Sequence, residues 1–78
     1  MMTLDVDLNS IDGVKNFVTT VCKMECDVDI VSGKYHVNAK SILGILSLDL
    51  TKPVTVRVYA DGREGEEAIQ MLEEFRAK

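Results

Sequence analysis

Lys40-Ser41-Ile42-Leu43-Gly44-Ile45-Leu46-Ser47-Leu48 decides how this chain is read, because it sets a serine directly ahead of an apolar helical turn that can be only partly buried. Ser41 can cap a short helix, its hydroxyl accepting a hydrogen bond from a free amide of the first turn. Ile42, Leu43, Ile45 and Leu46 then occupy more than one face of about two turns, whereas a helix in a globular protein buries a single stripe. Some of this apolar surface is therefore expected to face solvent. A capped core helix with no further role is the plain alternative reading of the same residues.

On either side of this stretch the hydrophobic period changes from 3.6 to 2 and back. Upstream, Val28 and Ile30 alternate with Asp27 and Asp29, and Tyr35, Val37 and Ala39 alternate with Lys34, His36 and Asn38. With Ser32-Gly33 between them, these runs predict a β-hairpin. Further back, Thr3 to Leu8 alternates as a strand, and Asn9 or Ser10 can cap a helix whose stripe is Ile11, Val14, Val18, Val21 and Cys22, with Phe17 beside it. Downstream, Pro53 marks entry to a strand from Val54 to Ala60. Asp61, with Glu64 three residues on, is expected to cap a last helix that buries Gly65, Ala68, Ile69, Leu72 and Phe75.

The order is strand, helix, strand, strand, helix, strand, helix. It predicts an α+β open-faced β-sandwich, with a four-stranded antiparallel sheet and three helices on one face, in a single domain over residues 1–78. The uncovered face is expected to carry Asp5, Asp7, Asp27, Asp29, Lys34, His36, Asn38, Thr55, Arg57 and Tyr59, a polar set suited to solvent.

Composition narrows the function classes. A net charge of −4 and a pI near 4.8 argue against nucleic acid and anionic membranes as partners, since both repel a negative field. No apolar run approaches the roughly 20 residues that span a bilayer, and Met1 to Asp5 lacks the basic and apolar regions of a signal peptide, so a cytoplasmic location is expected. Cys22 and Cys26 are too few for a disulfide scaffold and spaced one residue wider than a redox Cys-x-x-Cys pair, so both are read as reduced. No cofactor is called for. Exposed Ile42, Leu43 and Leu46 make weak self-association an expectation.

Val37 to Leu48, together with this order of elements, resembles the HPr family of phosphocarrier proteins of the phosphoenolpyruvate-dependent sugar phosphotransferase system. The resemblance implies the βαββαβα fold already read from the periodicities. It also implies a phosphoaccepting histidine at the start of the first helix, inside a Gly-x-His-x-Arg-Pro motif, charged through enzyme I. Counting back from Ser41 without gaps puts Ser10 at the position of the family's phosphohistidine, Asp12 at the arginine and Gly13 at the proline. An imidazole nitrogen is nucleophilic near neutral pH, whereas a serine hydroxyl needs an adjacent base and makes a stable ester. Asp12 moreover places negative charge where an arginine would neutralise phosphate.

Ser41 falls at the position that HPr kinase/phosphorylase phosphorylates in family members from Gram-positive bacteria. Ile42, Leu43, Ile45, Leu46 and Ser47 match the surface that such members present to that kinase, to enzyme I and to a catabolite control repressor. The chain thus looks like the branch that lacks the active histidine and acts in catabolite repression. The expected function is a non-enzymatic, protein-binding regulatory module controlled at Ser41. The alternatives are an active phosphocarrier using Ser10 or His36 as acceptor, a small metal or ligand module built on Cys22, Cys26 and His36, and a scaffold that has lost its pathway.

Overall fold

Aligned register across the strands turns the alternation seen in the sequence into one apolar sheet face. A computed structural model describes all 78 residues. Its strands are β1 (Met2–Val6), β2 (Val28–Ser32), β3 (Tyr35–Asn38) and β4 (Val54–Val58). Its helices are α1 (Ile11–Cys22), α2 (Ile42–Leu46) and α3 (Gly62–Leu72), the last running into a 3-10 turn at Glu73–Phe75. The strands form a single antiparallel sheet in the order β1-β4-β2-β3. Leu4 lies opposite Val56 and Val6 opposite Val54, while Val28 and Ile30 lie opposite Val58 and Val56. Because successive side chains point to opposite faces, all seven of these residues share one face, and all are buried.

The three helices cover that face. Helix α1 buries Val14, Phe17 and Val21, and α3 buries Gly65, Ala68 and Leu72. Phe17 and Phe75 meet edge to face, with centroids 5.4 Å apart and planes at 83°, an arrangement that adds about 1 kcal/mol to the burial itself. Gly65 is where α3 comes closest to the sheet: a Cβ there would lie 2.6 Å from the Ala60 carbonyl oxygen and 2.9 Å from the Met2 sulfur. The chain beyond the 3-10 turn shields the β1 edge. The Asp7 amide donates to the Phe75 carbonyl and the Ala77 amide to the Asp5 carbonyl, both at 2.9 Å.

The expected order of elements is the observed one, and the structure corrects several details. Strand β1 stops at Val6, and Leu8 enters the core from the loop that follows. Strand β4 stops at Val58. The hairpin turn is Gly33-Lys34, with Ser32 paired to Tyr35. Gly33 has φ +59°, the left-handed value that a type II′ turn requires at its first central residue. Tyr35 lies on the apolar side of β3 yet is 70% exposed, because it stands at the end of an edge strand beyond the helical layer. Ile11 and Cys22, placed in the α1 stripe by periodicity, are exposed at its two ends. Asp61 holds the N-cap of α3 without making a capping bond, since its carboxylate meets the Met1 ammonium instead.

Candidate functional site

The apolar stretch that opened the sequence reading becomes a helix of five residues, held at both ends by serines. Ser41 has extended backbone angles, and its hydroxyl oxygen accepts a hydrogen bond from the Gly44 amide at 3.2 Å. At the other end the Ser47 hydroxyl donates to the Gly44 carbonyl at 2.6 Å. Asn38, the last residue of β3, fixes the approach: its side-chain oxygen accepts from the Lys40 amide at 2.8 Å and its carbonyl from the Ser41 amide at 3.0 Å. The Lys40 ammonium reaches away to the Met24 carbonyl at 3.0 Å. Five residues carry little of a full helix dipole, so local amides hold the Ser41 oxygen.

Helix α2 sorts its apolar residues in a way the pattern alone did not. Ile45 is fully buried, and Ile42 is half-buried against the core. Leu43 is 79% exposed and Leu46 44% exposed. Ile45 therefore belongs to the core and cannot touch a partner in the folded protein, which removes it from the surface proposed for Ile42, Leu43, Ile45, Leu46 and Ser47. Leu43 and Leu46, one turn apart, form the outward face, and the Ser41 hydroxyl lies exposed beside them.

Helix α1 begins against the same surface. Ser10 caps it, its hydroxyl oxygen accepting from the Gly13 amide at 2.9 Å. Ile11, the next residue, is 63% exposed. Leu8, Asn9, Ser10, Ile11, Val14, Leu46 and Leu50 line a hollow of about 160 Å³ between the start of α1 and the end of α2. The sequence reading assigned Ile11 to the core, and the signal that it belongs outside was its position ahead of the first full turn. Beyond α2 the turn is closed by Asp49, which accepts from the Thr51 hydroxyl at 2.5 Å and the Thr51 amide at 3.1 Å. These two bonds, the hydroxyl first, hold the Asp49 carboxyl below the ordinary aspartate value.

The other candidates stand elsewhere. His36 lies on the uncovered sheet face, where its Nε2 pairs with an Asp29 carboxylate oxygen at 2.7 Å. Asp29 also keeps the neighbouring Tyr59 phenol above its ordinary value, chiefly through a hydrogen bond. Arg57 sits over the Tyr59 ring, 5.9 Å from its centroid. Cys22 is exposed and Cys26 half-buried, both as free thiols. They do not gather with His36: the fold brings no three His, Cys, Asp or Glu side chains into a metal-binding group. No helix is long and apolar enough to cross a membrane.

The comparisons with known proteins agree with this architecture. A family model described as the phosphotransferase-system HPr component phosphorylation site matches residues 13–78. The crystal structure of HPr-C-His from Thermoanaerobacter tengcongensis is similar with a TM-score of 0.78 and 27% identity, over 95% of this chain and 89% of that one. A phosphocarrier protein HPr from Bacillus anthracis gives a TM-score of 0.72 and 26% identity, over 97% and 94%. A histidine-containing phosphocarrier protein from Mycoplasma shares the fold, with a TM-score of 0.74 at 15% identity over 94% and 89%. With the open-faced sandwich, its three covering helices and a family match over most of its length, the chain belongs to the HPr family of phosphotransferase-system phosphocarrier proteins.

Proposed function

We propose that this chain is a non-enzymatic HPr-like regulatory module, one domain over residues 1–78, that works in the cytoplasm by presenting Ser41 and the outer face of α2 to protein partners. The observation that carries this reading is the exposed Ser41 hydroxyl standing beside exposed Leu43 and Leu46. A kinase needs both an accessible hydroxyl and a surface to grip. Phosphorylation would add a charge of about −2 at the edge of an apolar contact, which pairs with arginines on one partner and repels another. The acceptor geometry tolerates it, because the ester oxygen can still take the Gly44 amide.

Ser10 is a poor substitute for a phosphohistidine. Its hydroxyl oxygen is engaged by the Gly13 amide, and no general base is hydrogen-bonded to it. Asp12, in the first turn of α1, adds negative charge where an arriving phosphoryl group carries its own. His36, paired with Asp29 on the uncovered face, is on the opposite side of the sheet from the helices and so from the α1–α2 surface. Histidine-based relay is therefore absent from this reading. The partners are HPr kinase/phosphorylase and a catabolite control repressor, with enzyme I as a weaker candidate, and neither nucleic acid nor membrane.

The test is intact mass after two parallel incubations, one with HPr kinase and ATP, the other with enzyme I and phosphoenolpyruvate. The expected result is a single phosphate in the kinase reaction, absent from Ser41→Ala and retained in Ser10→Ala. Acid-labile phosphate from phosphoenolpyruvate would overturn the reading and restore a carrier role. No phosphate in either reaction would leave a binding scaffold without serine control.

A further inference from the structure

Aspartate is followed by glycine twice in the chain, at Asp12-Gly13 and at Asp61-Gly62, and the fold treats the two pairs differently. An aspartate before glycine is open to attack on its own side-chain carboxyl, because the next residue has no Cβ to obstruct the approach of its amide nitrogen. At Asp12-Gly13 the parts are locked. Both residues lie inside α1, and the Gly13 amide donates to the Ser10 hydroxyl at 2.9 Å.

At Asp61-Gly62 each part is free to move. Asp61 lies between β4 and α3 with extended backbone angles, and its carboxylate makes no capping bond. That carboxylate meets only the Met1 ammonium, and with the Asp61 side chain 84% exposed the pair is a weak surface contact. The Gly62 amide, the first of α3, donates to no carbonyl and to no side chain of the protein. Gly62 has φ +60°, and no atom lies within 4 Å of the point where a Cβ would stand. Asp61 itself makes a single backbone hydrogen bond, a long one of 3.3 Å from the Gly65 amide to its carbonyl.

We infer that Asp61-Gly62 is a site of spontaneous covalent modification, where the chain passes from an aspartyl to an isoaspartyl linkage. The Gly62 nitrogen attacks the Asp61 side-chain carboxyl carbon and forms a new C–N bond. The nitrogen loses its proton, the carboxyl loses an oxygen, and the two leave as water once a second proton is taken from solvent; the carboxylate supplies the charge balance. A succinimide ring results. Water then adds to either ring carbonyl. Addition at the side-chain carbon breaks the new bond and restores aspartate, whereas addition at the backbone carbon breaks the original peptide bond and leaves the chain joined through the side chain. Water is lost and regained, so the mass is unchanged and no other reagent is consumed. The isomer carries an extra main-chain carbon between Ala60 and Gly62, beside the closest approach of α3 to the sheet at Gly65. The former Asp61 carbonyl becomes part of a free carboxylate, so the bond from the Gly65 amide loses its geometry and the first turn of α3 loosens. That free carboxylate is a methyl acceptor for an isoaspartyl carboxyl methyltransferase, with S-adenosylmethionine as donor. The inference is independent of the reading of Ser41.

It is tested by holding the full chain in warm neutral buffer, folded and in guanidinium chloride, then mapping its tryptic peptides by chromatography and mass. Trypsin releases Asp61-Gly62 in the peptide from Val58 to Arg63 and Asp12-Gly13 in the peptide ending at Lys15. The expected result is a second form of the Val58 to Arg63 peptide, equal in mass, that takes up labelled methyl groups from S-adenosylmethionine when the methyltransferase is added. In the folded chain it accumulates within about threefold of the denatured rate, because no helix or strand has to open first. Asp12-Gly13 converts at least about tenfold more slowly folded than denatured, since α1 must open before its ring can close. Asp61→Ser keeps a capping residue type and abolishes the second form. Equal protection of the two pairs in the folded chain would overturn the proposal, as would a methyl-accepting form that survives Asp61→Ser.

Discussion

Ser10-Ile11-Asp12-Gly13 and Ser41-Ile42-Leu43-Gly44 are nearly the same four residues, and they build nearly the same cap. In each, the serine backbone is extended and the hydroxyl oxygen accepts from the glycine amide three residues on, at 2.9 Å and 3.2 Å. In each, a Cβ on the glycine would press on the serine oxygen, at 3.1 Å and 3.2 Å. The difference is the third residue: aspartate beside the cap of α1, and the most exposed leucine of the chain beside the cap of α2. A serine cap is thus a structural device that both helices share. What separates a helix start from a candidate regulatory site is the charge or apolar surface next to it.

The largest test of that contrast lies inside α2. Ile45→Ala should cost about 3 kcal/mol, the range expected when a fully buried isoleucine leaves a cavity. Leu43→Ala, two positions away and outward-facing, should stay within about 0.5 kcal/mol. Urea midpoints at equal slope measure both. Equal costs would mean that the face assigned to partners is a second piece of core.

Exchanging the distinguishing residues is the next step down. Leu43→Asp gives the α2 cap the neighbour that Ser10 has, and should lower the rate of kinase phosphorylation at Ser41 by about tenfold through loss of a central apolar contact. Asp12→Leu, the reverse exchange, should leave that rate unchanged, since an apolar neighbour at Ser10 does not make Ser10 a substrate. Equal behaviour of the two variants would show that the kinase reads only the serine.

The sequence announced both caps because a cap is local: a serine, an amide three residues on and an apolar run are all the reader needs. The strands were legible for the same reason, since one buried sheet face imposes strict alternation on Leu4, Val6, Val54, Val56 and Val58. The misread details are those that neighbours decide. A helix of five residues has too little length for its period to say which side faces in, so nothing local corrects the resemblance that puts Ile45 on the partner surface, and only the packing beneath shows it to be core. Ile11 fits the stripe by spacing but stands where α1 overhangs the core edge. Asp61 carries the right residue type for its cap, yet its side chain is taken by the Met1 ammonium, 60 positions away. The hollow beside Ser10 is assembled from two stretches of chain, residues 8–14 and 46–50, and has no signature in either of them.

A smaller pair of effects asks whether the caps are energetically alike. Ser10→Ala and Ser41→Ala should each cost about 1 kcal/mol, because each leaves one first-turn amide without its partner. The double variant should show near-additive loss if the helices depend on their caps independently. A Ser41 cap worth nothing would mean that α2 is held by Ile45 alone, and that the serine is free of structural duty.

The smallest effect separates the far ends of the two helices. At the end of helix α1 the Lys23 amide donates to the Thr20 carbonyl and the Met24 amide to the Val21 carbonyl, and the Met24 carbonyl accepts from the Lys40 ammonium, so no carboxylate takes part. The chain leaving α2 is instead tied by a carboxylate, that of Asp49, which accepts from Thr51. Because these bonds lower the Asp49 pKa in the folded state, what they contribute is fully present above the unfolded aspartate value and is lost as pH falls through the folded one. Acidification should therefore loosen the exit of α2 before that of α1. An NMR titration that follows the Asp49 carboxyl and the Thr51 amide should place their shared midpoint below the ordinary aspartate value, with the Lys23 amide silent over the same range. Thr51→Val removes the larger of the two causes and keeps the amide bond, so the midpoint should rise part of the way back. If it did not move, the turn would be held by backbone geometry alone, and the two helix ends would be equivalent after all.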